Sequence, residues 1–287
     1  MEEGRPSTTA MIAAMIRAAH LLWGDTPKIL QDPLALGLSG VESPGALQAT
    51  LRARQAEPYN YAGVLVRQRY AEDELATAMK RGVGQYVILG AGLDSFAYRR
   101  PDLATLLRVF EVDHPATQQW KRVRLRELSI HRPRNLTFIP LDFERHTLAD
   151  GLLAGGHRPE LPTFFSWLGV THYLTEEAVF TTLRYVAFLA PGSEIVFQYF
   201  LPEALFDAEN RRLLALWKTR RASVGEPVLS QFEPITLATR VQEFGFTQVW
   251  DVGPEELDAR YFAGCTDRLR ASPHSHLMKA QVGSVAE

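Results

Sequence analysis

Val87-Ile88-Leu89-Gly90-Ala91-Gly92-Leu93-Asp94-Ser95 decides the fold: a short apolar run enters a turn through two glycines and leaves it as a helix. The run suits a strand covered on both faces. The turn calls for backbone without Cβ atoms, so that a flat or anionic ligand can approach main-chain N–H groups where the helix starts. Alone, G-x-G is a weak signal, because ordinary strand-to-helix turns also use glycine.

Working outward, Leu107 to Val112 forms a second run, in which Phe110-Glu111-Val112-Asp113 ends about 20 residues after the glycines, where an acid can accept from both hydroxyls of a ribose. Strand alternation points Glu111 and Asp113 the same way, so periodicity does not choose between them, and either also suits the N-cap of a helix beginning at Pro115. Further runs at Leu136 to Leu141, Thr163 to Leu168 and Glu194 to Tyr199 complete five strands, with a helix capped by Thr175 between the last two. This alternation predicts an α/β fold of the Rossmann-like kind, a mostly parallel sheet with helices on both faces and a ligand crevice beyond the strand C-termini.

The flanks read differently. Residues 8 to 80 read as helices, the first capped by Thr8 or Thr9, a second starting at Asp32-Pro33, and a third spanning Arg67 to Arg81. Residues 203 to 244 are also helical and interrupt the alternation, and Phe246 to Val252 with Tyr261 to Arg268 are expected to supply the last strands. One domain is therefore expected over 1–287: an N-terminal helical cover (1–80), a cofactor-binding core (81–200), a helical lid insertion (201–245) and the terminal strands (246–287).

Composition narrows the partner. The chain has 287 residues, 46% hydrophobic and 22% charged, with 31 Lys+Arg against 33 Asp+Glu and a formal net charge of -2, which excludes a disordered chain and gives no pull toward nucleic acid or anionic membrane. The single cysteine, Cys265, excludes an intramolecular disulfide and a Cys-based zinc site and suits a reducing, cytoplasmic setting. Acids precede the first apolar stretch and Arg17 and His20 interrupt it, so it reads as an amphipathic helix rather than a signal peptide or membrane span. No His-Glu-x-x-His spacing occurs, and no metal site is expected. The basic segment Lys121 to Arg134 carries Trp120, Val123, Leu125 and Leu128 at helical spacing and reads as a surface helix. A small-molecule partner is expected, without nucleic acid or membrane.

A set of motifs in fixed order then identifies a family. Arg17-Ala18 precedes Asp32-Pro33-Leu34-Ala35. Next come Arg67-Gln68-Arg69-Tyr70 and Gly90-Ala91-Gly92-Leu93-Asp94 with Tyr98-Arg99. Phe110-Glu111-Val112-Asp113-His114-Pro115, Lys121-Arg122, Asp142, Gly169 to Leu174 and Pro191-Gly192-Ser193 follow. Along most of its length the chain thus resembles class I S-adenosylmethionine-dependent methyltransferases of the leucine carboxyl methyltransferase type, which include bacterial members linked to polyketide tailoring.

The resemblance implies S-adenosyl-L-methionine as cofactor, with Gly90, Ala91 and Gly92 facing its methionine part, Asp113 on the ribose hydroxyls, and Asp142 with Phe143 flanking adenine. Arg67 would bind the cofactor carboxylate, with Arg17 a second candidate, and Asp94, His114 and Leu168 belong to the same cofactor set. Relatives commonly carry an acid before the glycine that follows the fourth strand, whereas this chain has Leu168-Gly169. His172 and Tyr173 become the acceptor-side catalytic candidates. The implied activity is O-methyl transfer to a carboxylate or hydroxyl of a small molecule in secondary metabolism. Two other classes use the same glycines and Asp113: a nicotinamide-dependent oxidoreductase, and a non-catalytic cofactor-binding protein.

Overall fold

The computed structural model describes residues 7–53, 58–141, 147–222, 225–266 and 269–283. In chain order the elements are α1 (Thr8–Trp23), α2 (Ala35–Leu38), α3 (Pro44–Ala53), α4 (Pro58–Lys80), β1 (Gln85–Leu89), α5 (Phe96–Arg99), β2 (Arg108–Asp113), α6 (Pro115–Glu127), β3 (Leu136–Pro140), α7 (Leu148–Ala154) and β4 (Thr163–Trp167). The C-terminal part adds α8 (Glu176–Ala187), β5 (Glu194–Phe200), α9 (Ala208–Ala222), α10 (Pro234–Glu243), β6 (Phe246–Val252), α11 (Pro254–Tyr261) and β7 (Ser275–Val282).

The seven strands form one sheet in the order β3-β2-β1-β4-β5-β7-β6. All pairings from β3 to β5 are parallel, and β7 runs antiparallel to both of its neighbours. Strand alternation divides the core between two faces. Tyr86 and Ile88 of β1 join Leu65, Ala71 and Leu75 of α4 on one face, whereas Val87 and Leu89 join Val179 and Leu183 of α8 on the other. The chain order reverses between β1 and β4, so the crevice expected of such a sheet opens at the C-terminal ends of β1, β2 and β4.

The five strands expected from apolar runs occur within one residue of their bounds at each end. The cap of α1 is Ser7 rather than Thr8 or Thr9, its hydroxyl accepting from the Ala10 amide at 3.3 Å. The last strand is not Tyr261 to Arg268: Tyr261 ends α11, and the strand is Ser275–Val282. Its polar residues disguised it. Leu277 and Met278 face the two opposite cores, while Lys279 reaches Glu74 at 2.8 Å and lies over the Trp250 ring at 4.8 Å.

The basic α6 also differs from a solvated surface helix. Lys121 is fully buried and pairs with Glu111, between the rings of Tyr98 and Phe138. Burial pushes the Glu111 carboxyl up and the ammonium of Lys121 opposes that push. This pairing separates the two acids of β2: Glu111 is bound within the core, and Asp113 is left for the crevice. Of residues 201–245, the strap after α9 reaches the crevice through Gly225, Glu226 and Pro227, whereas α10 packs on β6.

His157 lies before β4 at the opposite end of the sheet, bonded to Thr163 Oγ1 at 2.9 Å and set edge-on to Phe110. Burial lowers its pKa from the ordinary 6.5 to about 4. A histidine depressed on folding adds stability in full above the unfolded value and loses it as pH falls through the folded one. Unfolding free energy should therefore decline on acidification from about pH 6.5 through about pH 4. Urea titrations of His157→Gln, which cannot gain the proton, should show a shallower decline, and identical slopes would refute the assignment.

Candidate functional site

A cavity of about 510 Å³ lies over the strand ends. Its floor is the turn after β1. Gly90 and Gly92 adopt φ of 66° and 53°, conformations open to glycine. The amides of Gly90 and Ala91 both donate to the Val112 carbonyl, at 2.8 and 3.1 Å, tying the turn to β2. A Cβ on Gly90 would collide with Val170, so the glycine is demanded by packing as well as by any ligand.

Asp113 ends β2 with its carboxylate turned back onto this turn. One oxygen accepts from the Gly92 amide and the other from the His114 amide at 2.6 Å. Burial pushes the carboxyl above its ordinary value, against the pull of those two amides and of Lys121. A carboxylate offers about four acceptor positions, so capacity remains for two hydroxyl donors. His114 Nδ1 accepts from the Ala116 amide and caps α6.

Beneath the turn lies a polar network. Asp94 accepts from the Phe96 amide at 2.6 Å and from Gln68 Nε2 at 2.9 Å. Gln68 also donates to Glu72, which is paired with Arg99 at 2.6 Å. Arg17 is enclosed: Nε donates to buried Asp32 at 2.8 Å and Nη2 to the Leu93 carbonyl at 2.7 Å. Burial alone would raise the Asp32 carboxyl, but Arg17 and Arg99 hold it below its ordinary value. Arg17 thus fastens α1 to the glycine turn.

The second arginine is placed by different means. After β4 the chain turns at Gly169 with φ 73°, and the Arg67 guanidinium lies on that turn. A Cβ on Gly169 would stand 2.5–2.7 Å from three guanidinium atoms. Arg67 Nη1 donates to Gln198 Oε1 at 2.8 Å.

Over the cavity lie α1 and the strap after α9. Ser7, Thr9, Ala10 and Ala13 line it from α1, and Gly225, Glu226 and Pro227 from the strap. Glu226 Oε1 accepts from the hydroxyls of Ser7 at 3.0 Å and Thr9 at 3.3 Å. Further along, the Leu229 amide donates to the His172 carbonyl, Ser230 Oγ to the Thr171 carbonyl and the Phe232 amide to the Phe200 carbonyl. The strap therefore spans from α1 to the end of β5.

Of the residues expected to form the site, Arg17, Arg67, Gly90, Ala91, Gly92, Asp94, Asp113, His114, Leu168 and Tyr173 all line this cavity. Asp142 and Phe143 lie outside the described residues. His172 is not on the wall: it is 3% exposed, with ring centroids 3.9 Å from Tyr173, 4.5 Å from Phe200 and 5.7 Å from Trp217. Sequence reasoning missed Glu226, whose segment carries no motif. It also missed Gln198, although a glutamine inside the apolar run Glu194–Tyr199 is a readable anomaly.

A family model described as leucine carboxyl methyltransferase matches residues 10–187. YktD of Bacillus subtilis (strain 168), described as a candidate S-adenosyl-L-methionine-dependent methyltransferase, is 33% identical over 98% of this chain and 99% of its own length. A similarly described protein of Frankia alni is 33% identical over 67% of this chain and 70% of its own. Among solved structures, a candidate methyltransferase from Thermobifida fusca YX superposes with a TM-score of 0.59 at 15% identity, over 99% of this chain and 97% of that one. A DUF574 family protein from Streptomyces avermitilis gives a TM-score of 0.59 at 15% identity, over 98% and 99%. These structures share the fold. The chain belongs to the leucine carboxyl methyltransferase family of class I S-adenosylmethionine-dependent methyltransferases, and the nicotinamide reading is not favoured.

Gly169→Ala should destabilise the protein by about 1–3 kcal/mol, combining left-handed strain with the clash against Arg67. In an Arg67→Ala background the clash disappears, and urea titration should give a smaller cost for the same substitution. Equal costs in the two backgrounds would show that the guanidinium does not rest on Gly169.

Proposed function

We propose that the protein is an O-methyltransferase acting on a small molecule, with a carboxylate favoured over a hydroxyl as acceptor. The observation that carries the acceptor preference is the placement of His172. The imidazole best suited to deprotonate a phenol or alcohol is buried among Tyr173, Phe200 and Trp217 rather than on the cavity wall. A carboxylate is already ionised at neutral pH and needs no base. Leu168 supports the same choice, since an apolar group in place of an acid removes a negative charge from the approach of an anionic oxygen. The cavity is also of the size that takes small ligands, roughly 300–1,000 Å³.

The residues present fit the family's cofactor. Asp113 would accept from the ribose hydroxyls, the Gly90–Gly92 turn would lie against the methionyl chain, and Arg67 would take its carboxylate in a bidentate pair. Arg17, engaged with Asp32, would act mainly by holding α1 in place, while Asp94, His114 and Leu168 complete the wall. Asp142 and Phe143 are assigned to adenine through the resemblance alone. When bound, the cofactor supplies a methyl group on a positively charged sulfur.

What the chain's own residues contribute is alignment. Tyr173, on the wall after β4, borders the acceptor, and His172 backs it at 3.9 Å. Glu226 and the strap exclude water above. Holding two reactants in line can supply roughly 7–11 kcal/mol of a barrier, against about 10²- to 10⁴-fold from a general base, so a site without a base on its wall retains its main source of rate.

Two measurements test this reading. Asp113→Ala should fold and bind S-adenosylhomocysteine about 10- to 150-fold more weakly by calorimetry, the cost of hydrogen bonds to a charged group. Unchanged affinity would remove Asp113 from the ribose site. For the acceptor, mass spectrometry of reactions with a panel of small acids and phenols should find methyl esters. Turnover of His172→Ala should then change through positioning alone, without the loss of a titration near the imidazole value of about 6.5. Loss of such a step with a fall of about 10²-fold would assign a hydroxyl acceptor instead. Methylation of protein or nucleic acid but no small molecule would sink the proposal.

A further inference from the structure

We propose that Gln198 of β5 is a positioning residue for cofactor binding, holding the Arg67 guanidinium for a carboxylate through a contact that adds no negative charge of its own. The inference rests on the reading that Arg67 receives the carboxylate of the methionyl chain. It goes beyond that reading by assigning a role to a strand that carries none of the family's marks.

Gln198 is 5% exposed in a strand whose other residues up to Tyr199 are all buried. A glutamine there must satisfy its amide internally, or unpaired polar atoms would be left in the core. Both ends are engaged. Nε2 donates to Ser275 Oγ of β7 at 2.9 Å, and Oε1 accepts from Arg67 Nη1 at 2.8 Å. These partners allow a single orientation, because a flipped amide would turn its NH₂ toward the N–H groups of Arg67, and guanidinium has no acceptor. The backbone of the same residue is fixed too, its carbonyl accepting from Thr171 Oγ1 in the turn that follows Gly169.

The guanidinium is thereby held by the backbone of Gly169, which leaves room for it, and by an amide oxygen that sets its rotation. The choice of amide over acid matters electrostatically. Arg17, on the other side of the turn, donates to the Asp32 carboxylate and is used for structure. Arg67 donates to a neutral acceptor at Gln198, so the contact orients the fork without supplying a competing negative charge. This would weigh more in a chain where Leu168 replaces the family's acid, since the carboxylate end then contributes a larger share of methionyl recognition.

The test uses two ligands that differ by the carboxylate: S-adenosylhomocysteine and its decarboxylated analogue, titrated calorimetrically into the full chain. The wild type should bind the first more tightly. Gln198→Met, similar in volume but without the acceptor, should weaken S-adenosylhomocysteine by about 10-fold and leave the analogue within about twofold. Gln198→Glu should weaken it further, because the new carboxylate would compete with the ligand's for Arg67. If Gln198→Met does not fold, Ser275→Ala, which removes the tether on the amide NH₂ and lets the side chain drift from Arg67, should show the same selectivity at several-fold. Variants that weaken both ligands equally, or neither, overturn the role of Gln198 alone. A wild type that does not distinguish the ligands overturns the Arg67 reading and this inference with it.

Discussion

The site depends on one carboxylate closing the turn beside its own strand. Asp113 accepts from Gly92 and His114, so the glycine turn after β1 and the start of α6 are fastened to the same two oxygens. Gly90 and Ala91 donate to Val112 one residue earlier, which leaves the turn little freedom to move relative to β2. The arrangement requires positive φ at both glycines and an acid at the last position of β2. It also requires that the other acid of β2 be occupied elsewhere. The buried pair of Glu111 with Lys121 does this, at the desolvation cost that a paired charge incurs in a core. Breaking such a pair from one side costs about 3–5 kcal/mol, so Lys121 protects the division of labour between the two acids.

Most of this was legible before the structure. Five parallel strands could be read because β1, β2, β4 and β5 are buried on both faces along most of their length and so appear as mostly apolar runs, with β3 at the edge still carrying Leu136, Phe138 and Ile139. β7 could not, because it mixes His276 and Lys279 with Leu277 and Met278, and its lysine is accommodated by Glu74 and Trp250, far away in sequence. The choice between Glu111 and Asp113 was equally closed to periodicity. It was made by Lys121, ten residues on, whose burial inside a helix of high positive charge no local pattern announces.

The cavity residues divide along the same line. Those in the turns after β1, β2 and β4 carry motifs, since a ligand at the switch point of a parallel sheet meets the strand ends and little else. Gln198 and Glu226 reach the site through pairings set by tertiary structure: β5 beside β7, and the strap beside α1. His172 shows the converse error. It follows a cavity-lining glycine by three residues, yet the 3₁₀ turn at Thr171–Tyr173 places Tyr173 on the wall and folds the imidazole back toward Phe200 and Trp217.

The two arginines of the cavity are held in place by different partners. Arg17 is enclosed with Asp32, and its second bond to the Leu93 carbonyl ties the N-terminal helix to the glycine turn. Arg67 lies on the Gly169 turn and donates to the Gln198 amide, in contact with the cavity. A charge committed to a buried acid gains little from a further anion, and an amide contact, unlike an acid, does not compete with one. The Asp32 partner of Arg17, rather than its distance from the glycines, therefore marks it as the helix anchor. Gly169 is the condition for the placement of Arg67, because any side chain there would occupy the space in which the guanidinium lies.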